Sequence, residues 1–424
     1  MKIEIVHGRL VDPRHGVDRK TSLYIAAGKV VALGSAPPDW RASRVIEAEG
    51  LVVCAGLVDA AARLREPGLE HKATLESEME AAVAGGVTSL ACPPDTDPPL
   101  DEPGLVEMLK HRARSLNRAH LYPVGALTVG LKGTAITEMG ELAEAGCIAF
   151  SQADAALPDT RMLLRAMQYA ATFGYRVWLR AQDPYLARGG VAHDGEVATR
   201  LGLAAIPSCA ETIALDAICE LARVTGASVH IARISSREGV DRVRQAKRSG
   251  LALTCDVGAN HVHLCDTDIG WFAASCHLVP PLRSSRDRDA LRAGLADGTI
   301  DFICSDHAPV DDDAKQLPFA ESEPGATGLE LLLPLTLKWA HDAGVDLSKA
   351  LSLITSQPAR VLGIDAGHLG IGAAADVCVF DPSAWWKVER ASLKSQGKNT
   401  PFMGWEVAGK VRFTIAGGQV VHEA

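Results

Sequence analysis

The feature that most constrains the fold is a regular alternation of short apolar runs with longer amphipathic stretches along the middle of the chain. The apolar runs have strand length, as in VTSLACPP (87–94), SVHIARIS (228–235) and FICSDHAP (302–309), and the stretches between them have helix length, as in GLVEMLKHRARSL (104–116). Repeated about eight times, this alternation predicts an α/β fold with a (β/α)₈ TIM-like barrel. In such barrels the active site lies at the carboxyl ends of the strands.

The two ends of the chain carry a different pattern. Residues 1–54 and 370–424 contain short alternating segments separated by turn residues, such as KIEIVHGRLVD near the start and GKVRFTIAGGQVVHE near the end. Period-two alternation between turn signals is typical of β-strands. We therefore predict a small β-sandwich domain formed by 1–54 together with 370–424, beside a barrel that spans 55–369.

Charge and composition narrow the classes of protein to consider. The 43 basic and 52 acidic residues give a net charge of −9, which argues against nucleic-acid binding. No apolar run approaches the roughly 18 residues of a membrane span, and the first residues lack the apolar core of a secretion signal. The 10 cysteines form no CxxC pair, so free thiols in a reducing compartment are expected. These features predict a cytoplasmic protein without membrane contact.

Several motifs at the expected strand ends resemble those of one known family. GLVDAAARLREPG (56–68), CPPDTDPPLDEP (92–103), HIARISSREG (230–239) and SDHAP (305–309) occur in order along the chain. Further matches are GEVATRLGLAAIP (195–207), PPLR (280–283), ADVCVFDP (375–382), NTPFMG (399–404) and GKVRFTIAGGQVV (409–421). Together they resemble dihydroorotases of the amidohydrolase superfamily, and several ordered motifs are a far stronger signal than one.

The resemblance implies zinc-dependent hydrolysis of a cyclic amide, with zinc lowering the pKa of a bound water. The positions of the family's metal ligands are nevertheless changed here. The H-x-H pair falls on Ala61 and Arg63, the acidic ligand on Gln152–Ala153, and two further histidines on Arg180 and Arg233. Of the metal ligands that the resemblance implies, only the aspartate is still present, as Asp306; in the family it is also the catalytic base. One carboxylate cannot hold a tetrahedral zinc site, so we expect no metal and no catalytic residues.

The positions that bind substrate in the family are also altered. Arg65 matches the carboxylate-binding arginine, but the asparagine beside it is replaced by Asp95, which would repel a carboxylate. A second asparagine falls on Val279, and the last histidine of the family's D-H-A-P-H motif falls on Val310. The resemblance therefore implies a cleft that has lost much of its substrate recognition.

Three of the lost histidines are replaced by the same residue type, arginine. Because an unpaired buried charge costs several kcal/mol, Arg63, Arg180 and Arg233 should have acidic partners. Asp306 and Asp95 are the expected ones. The alternative is that the arginines point to solvent at the barrel mouth. We favour the paired arrangement because strand ends converge in a barrel.

A relocated metal site is a second alternative for the lost one. His261-Val-His263 forms an H-x-H on a strand-like run. Residues i and i+2 of a strand share a face, but no convergent partner ligands can be assigned. We therefore favour the interpretation that His261 and His263 are core or rim residues and not metal ligands.

Three functions remain open at this point. The sequence resembles inactive dihydroorotase-like chains that accompany the aspartate transcarbamoylase catalytic chain in some bacterial pyrimidine pathways, which implies a homo-oligomer, such as a dimer, within a larger complex. An active cyclic-amide hydrolase with an atypical metal site is the alternative. An anion-binding module that uses the arginines is the third.

Overall fold

The alternating residues at the start of the chain form seven short strands. The computed structural model describes residues 1–424. The strands are β1 Lys2–Val6, β2 Arg9–Asp12, β3 Val17–Lys20, β4 Leu23–Ala26, β5 Lys29–Leu33, β6 Arg44–Glu47 and β7 Val52–Ala55.

The middle of the chain supplies the strands of a barrel. They and two short neighbours are β8 Leu57–Asp59, β9 Val87–Cys92, β10 His120–Pro123, β11 Gly125–Ala126, β12 Phe150–Ser151, β13 Arg176–Leu179, β14 Ala192–His193, β15 Ala205–Ile206, β16 Ser228–Ile231, β17 Leu253–Gly258 and β18 Phe302–Cys304. The strands β10-β9-β8 and β11-β12-β13-β16-β17-β18 pair in parallel, while β14 and β15 form a separate pair.

The barrel closes just beyond its first and last strands. The backbone N–H of Arg63 donates to the carbonyl of His307 at 2.9 Å, and the N–H of His307 donates to the carbonyl of Ala61 at 3.0 Å. With β10 and β11 counted as one interrupted strand, eight parallel strand positions surround the axis, which confirms the predicted (β/α)₈ barrel.

Helices connect the barrel strands and cover their outer faces. They are α1 Leu75–Ala84, α2 Pro103–Leu116, α3 Met139–Ala145, α4 Thr160–Phe173, α5 Glu196–Leu201, α6 Cys209–Thr225, α7 Arg237–Arg248, α8 Ala259–His263, α9 Ser285–Asp297, α10 Asp312–Gln316, α11 Leu332–Ala343, α12 Leu347–Ser352 and α13 Ser356–Leu362. Short 3₁₀ helices occupy Pro13–His15, Val129–Leu131, Asp266–Ile269, Ala274–Cys276 and Leu329–Leu331. No helix is long and apolar enough to cross a membrane.

The end of the chain returns to the sheets of its beginning. Its strands are β19 Val377–Lys387, β20 Glu406–Ala416 and β21 Gln419–Glu423. They extend β7, β2 and β3 into a six-stranded sheet in the order β21-β20-β19-β7-β2-β3. A second sheet has the order β5-β4-β1-β6, and apolar residues of both sheets share one small core. The domain bounds remain as proposed: the β-sandwich comprises 1–54 and 370–424, and the barrel comprises 55–369.

A glycine of the first motif lies where the chain allows no side chain. Gly68 has a φ of +89°, and a Cβ there would collide with the carbonyl oxygen of Asp97. The close approach brings the loop after β8 against the loop after β9, so both loops are fixed beside the mouth of the barrel.

A buried carboxylate joins the barrel to the end of the chain. The Nε2 of His307 lies 2.6 Å from Glu78 on α1, and the hydroxyl of Ser395 and the N–H of Gln396 donate to the same carboxylate. Burial tends to raise the pKa of Glu78, but the hydrogen bond and charge of His307 outweigh burial and lower it. A single ionised group thus ties together α1, the segment after β18 and the 393–396 loop.

We expect Glu78→Gln to lower the free energy of unfolding by about 2–4 kcal/mol, because an amide would turn its NH₂ towards groups that donate to the carboxylate. Urea unfolding of both proteins measures the change. The matched control is Glu80→Gln on the same helix, whose half-exposed pair with Arg118 should contribute less than about 1 kcal/mol. Equal losses in the two variants would contradict the role assigned to Glu78.

Candidate functional site

The charged residues singled out in the sequence lie at the carboxyl ends of barrel strands. Arg63 follows β8, Asp95 follows β9, Arg180 directly follows β13, and Arg233 and Asp306 follow β16 and β18. Their side chains converge at the mouth of the barrel, as the fold requires. The alternative in which the arginines point to solvent is wrong, because their side chains are only 5–9% exposed.

The centre of the cluster is an aspartate that the sequence analysis missed. The Oδ2 of Asp154 lies 2.6 Å from Nη2 of Arg63, and its Oδ1 lies 2.6 Å from Nε of Arg180. Arg233 forms a further ion pair with Oδ1 of the same carboxylate. Burial tends to raise the pKa of Asp154, but Arg233, Arg63 and Arg180 outweigh burial and hold the pKa well below its usual range.

Asp306 is a second, weaker centre. Its Oδ1 lies 2.9 Å from Nη1 of Arg233 and 3.5 Å from Nη1 of Arg63, so the expected ion pair of this residue is confirmed for two of the three arginines. Burial raises the pKa of Asp306 to about 6 against the opposing effect of Arg233 and Arg63, and the negative charge of Asp154 adds to the increase. Asp306 is therefore the more readily protonated carboxylate of the two.

The remaining charged residues of the cleft bind one another or the backbone. Asp95 lies 2.7 Å from Nε of Arg63, as the sequence analysis considered. Nε of Arg65 donates to the carbonyl of Pro309 at 2.9 Å, and its Nη2 lies 3.8 Å from Glu323. Burial and then the charge of Arg63 lower the pKa of Arg65. The guanidinium of Arg65 is thus held by protein groups rather than directed into open space.

The other residues at ligand positions have no group that could coordinate zinc. Ala61 and Ala153 carry only methyl side chains. Gln152 accepts a hydrogen bond from Thr128 and donates to the carbonyl of Leu131, so its amide is bound to the neighbouring loop. No three His, Cys, Asp or Glu side chains are arranged to hold a metal ion.

The H-x-H pair considered as a relocated site lies on a helix and not on a strand. His261 and His263 belong to α8, where residues two apart do not share a face. Their Nε2 atoms hydrogen-bond to the carbonyls of Pro280 and Leu335, and burial lowers the pKa of each to about 4. Both are buried histidines bonded to the backbone, and the strand interpretation is wrong.

Two polar residues inside the barrel, Asp59 and His230, make structural contacts. The carboxylate of Asp59 accepts from the backbone N–H and the hydroxyl of Ser305. His230 hydrogen-bonds to Thr254 at 2.8 Å and to Asp256 at 3.2 Å, with no more than 2% exposure. Neither Asp59 nor His230 can meet a substrate. The acidic run at 311–313 caps and begins α10, because Asp311 accepts from the N–H of Ala314.

A cavity of about 290 Å³ opens beside Asp154 and Arg180, between the loops after β12 and β13 and helix α6. Its lining is mostly apolar, and Arg65 is not part of it. The arginine that matches the family's carboxylate-binding group therefore lies away from this opening.

The arrangement does not fit a bound zinc ion. Guanidinium groups cannot coordinate a cation, and a divalent ion about 4 Å from one of them would be repelled by roughly 8 kcal/mol at an effective dielectric constant of 20. Three such groups stand at ligand positions, and their partners Asp154 and Asp306 are already used in ion pairs. Chemically, the cluster is a set of mutually neutralising charges.

Replacement of the central aspartate tests this description. We expect Asp154→Asn to lower the free energy of unfolding by about 3–5 kcal/mol, because three buried guanidinium groups would lose their shared partner. Since the folded-state pKa of Asp154 lies below its unfolded value of about 3.9, this contribution is present above pH 4 and is lost as the pH falls. The difference between the two proteins, measured by urea unfolding, should therefore shrink below pH 4.

The matched control is Asp216→Asn, which removes an exposed pair with Arg242 at 2.9 Å and should cost less than about 1 kcal/mol. If Asp154→Asn is no more destabilising than this control at neutral pH, the cluster does not hold the barrel mouth together.

Comparison with known proteins matches the chain to dihydroorotase-like proteins and to amidohydrolases. The model of the "Dihydro-orotase-like" family matches residues 50–239, and that of the "Amidohydrolase family" matches residues 196–422. A "Dihydroorotase-like protein" of Pseudomonas putida is 43% identical over 422 residues, covering 100% of this chain and 99% of that protein. The protein of the same description from Pseudomonas aeruginosa is 42% identical, with 100% of both chains covered.

Other relatives carry the name of the enzyme itself. A "Dihydroorotase" of Geobacter sp. (strain M21) is 40% identical, and all of both chains is covered. Among solved structures, the L-hydantoinase from Arthrobacter aurescens has a TM-score of 0.89 at 24% identity, covering 99% of this chain and 96% of that one. At that identity the structural similarity shows the fold alone.

Proposed function

The chain belongs to the dihydroorotase-like proteins of the amidohydrolase family, and from this premise we propose that it is a catalytically inactive member that acts as an assembly subunit for aspartate transcarbamoylase. The observation that carries the proposal is the replacement of metal ligands by arginines paired with Asp154 and Asp306. An amidohydrolase of this type uses metal-bound water as its nucleophile. A site filled by fixed cations offers no place for that metal.

The substrate side of the cleft supports the same conclusion. The donors of Arg65 are directed to Pro309 and Glu323, and Asp95 is a carboxylate paired with Arg63. A carboxylate-bearing substrate would have to displace these partners, and would meet the negative charge of Asp95. Its binding is therefore opposed both by competition and by repulsion.

The two fully buried histidine–acid pairs of the barrel do not supply another base. His230 pairs with Asp256, and His307 pairs with Glu78. All four side chains are no more than 2% exposed. A general base must come within hydrogen-bond distance of the reacting proton, and these pairs lie below the surface that a substrate could touch.

The partner is inferred from the family resemblance. A barrel that keeps its closed fold without metal chemistry can still serve as a rigid surface. We propose that the catalytic chain of aspartate transcarbamoylase binds it in the cytoplasm, and that a dimer of this chain is part of the complex. No nucleic acid and no membrane take part in this function.

Metal analysis combined with an activity assay tests the catalytic half of the proposal. We expect less than 0.1 zinc per chain, about a tenth of a one-metal site, after incubation with zinc and desalting. We also expect no dihydroorotate hydrolysis or formation above the uncatalysed rate. The alternative, an active dihydroorotase with an atypical metal site, draws support from the names of relatives near 40% identity. Turnover that depends on zinc and is abolished by Asp306→Ala would establish that alternative.

The assembly half is tested by mixing the chain with the aspartate transcarbamoylase of its own organism. We expect a larger symmetric complex in size exclusion with light scattering, and a higher or more stable transcarbamoylase activity. An obligate interface of this kind buries on the order of 2,000 Å² or more, so the complex should persist at micromolar concentration. Each protein run alone is the control. Independent elution with unchanged transcarbamoylase activity would contradict the assembly role.

A further inference from the structure

The cavity of about 290 Å³ beside the barrel mouth lies outside the ring of strands. Helix α4 contributes Leu163 to its wall and α6 contributes Ile218, and both pack with Leu179 of β13 in one apolar core. Trp178, the preceding residue of β13, packs with residues of β8, β9 and β18 on the inner side of the barrel. Because successive residues of a strand face opposite sides, Leu179 turns towards the helices. The cavity therefore lies between α4 and α6 and is separate from the space around the barrel axis.

Small side chains leave this space open. Ala214 and Ala217 of α6 line it, and residues three apart on a helix share a face. Ala155 and Ala156, in the loop after β12, form another part of the wall. All four side chains end at a methyl group, so the gap between the helices and the loop is not filled. Cavities that bind organic ligands begin at about 300 Å³, which is close to the size of this one.

The charged groups in the wall of this cavity are already bound by the protein. The carboxylate of Asp154 is shared by three guanidinium groups, of which Arg180 is one. The carboxylate of Asp183 accepts from the backbone N–H groups of Tyr185 and Leu186. The wall therefore holds no guanidinium without a carboxylate partner, and no carboxylate without donors. Since burial of an unpaired charge is costly, these contacts favour an uncharged occupant.

The rest of the wall favours an occupant that is mostly apolar and carries one hydrogen-bond acceptor. Tyr185 and Ile213 line the cavity and are nevertheless 66% and 50% exposed, so an apolar molecule would remove their surface from water. The side-chain oxygen of Gln182 accepts from Arg180, which leaves its NH₂ group free to donate. Water would satisfy Gln182 but would gain nothing from the apolar wall, whereas an organic carbonyl compound would use both.

We propose that this cavity binds a small uncharged organic molecule that has an apolar ring or chain and one carbonyl group. Its apolar part packs between α4 and α6 against Ala217, and its carbonyl oxygen accepts from Gln182. Two helices and two loops surround the cavity, which suits a compact molecule rather than a strand or helix of another chain. The site belongs to a single chain, so it does not depend on assembly with transcarbamoylase.

Three aromatic probes of similar shape test the class of ligand on the full chain. The probe para-bromobenzamide is uncharged, para-bromobenzoate is an anion, and para-bromobenzylammonium is a cation. We expect the amide to raise the Tm to a plateau, because a ligand that binds only the folded state stabilises it. The charged probes should be at least about tenfold weaker, because each would bring an unpaired charge into the cavity. A charged probe that acts at the same concentrations as the amide would overturn the proposal.

Crystals soaked in the amide locate the site directly. We expect an anomalous bromine peak between α4 and α6, beside Ala217. Soaked crystals without bromine in the cavity would contradict the proposal, and a side chain of a neighbouring molecule in its place would assign the cavity to a protein interface instead.

A pair of substitutions links the Tm effect to this cavity. Ala217→Leu keeps a residue that favours helix, and its added carbon atoms would occupy the space between the helices. It should raise the half-saturating concentration of the amide about tenfold or more, and the Tm without ligand reports that the variant folds. Ala343→Leu, the same change at the exposed end of α11, should leave that concentration unaltered. An Ala217→Leu protein with the wild-type response to the amide would refute the site.

Discussion

The structure of the barrel mouth depends on the neutralisation of buried guanidinium groups by the carboxylates beside them. Arg63, Arg65, Arg180 and Arg233 are at least nine-tenths buried as side chains. Four carboxylates, those of Asp95, Asp154, Asp306 and Glu323, lie within 4 Å of them. Each of these charges alone would be costly in this position, so the loss of any one of them leaves its partners without a counter-charge.

The cluster connects the carboxyl ends of several barrel strands. Asp154 alone contacts guanidinium groups that follow β8, β13 and β16, and Asp306 adds the end of β18. Four non-glycine residues of the cleft, namely Arg65, Ala153, Arg233 and Asp306, have φ between 49° and 62°. Such conformations cost about 1–3 kcal/mol each and persist only where the surroundings fix them. The ion pairs of Arg65, Arg233 and Asp306 contribute to that constraint.

The barrel and most of the charged cluster could be predicted from the sequence. The residue that could not be predicted, Asp154, was missed for a physical reason. The barrel could be predicted because the alternation of apolar, strand-length runs with amphipathic, helix-length runs is a local property of the sequence. The convergence of Arg63, Arg180, Arg233 and Asp306 follows from their positions at strand ends. Asp154 escaped because the family's acidic ligand aligns with Gln152–Ala153, one or two residues earlier, and a shift of that size in a loop cannot be read from a pattern. The charge count could have revealed it, since Asp306 and Asp95 are too few to neutralise three buried arginines.

The paired cluster also opposes the binding of a metal ion after a single substitution. A histidine restored at position 63 alone would leave Arg180 and Arg233 facing the incoming cation, and each would repel zinc by several kcal/mol. The same change would remove one guanidinium from Asp154 and leave Asp95 without its partner. Both the empty and the metal-bound forms of such a variant are therefore less favourable than the ion-paired cluster. The arginines are held together by the aspartate they share, so a metal site at this position would require several of these residues to change together.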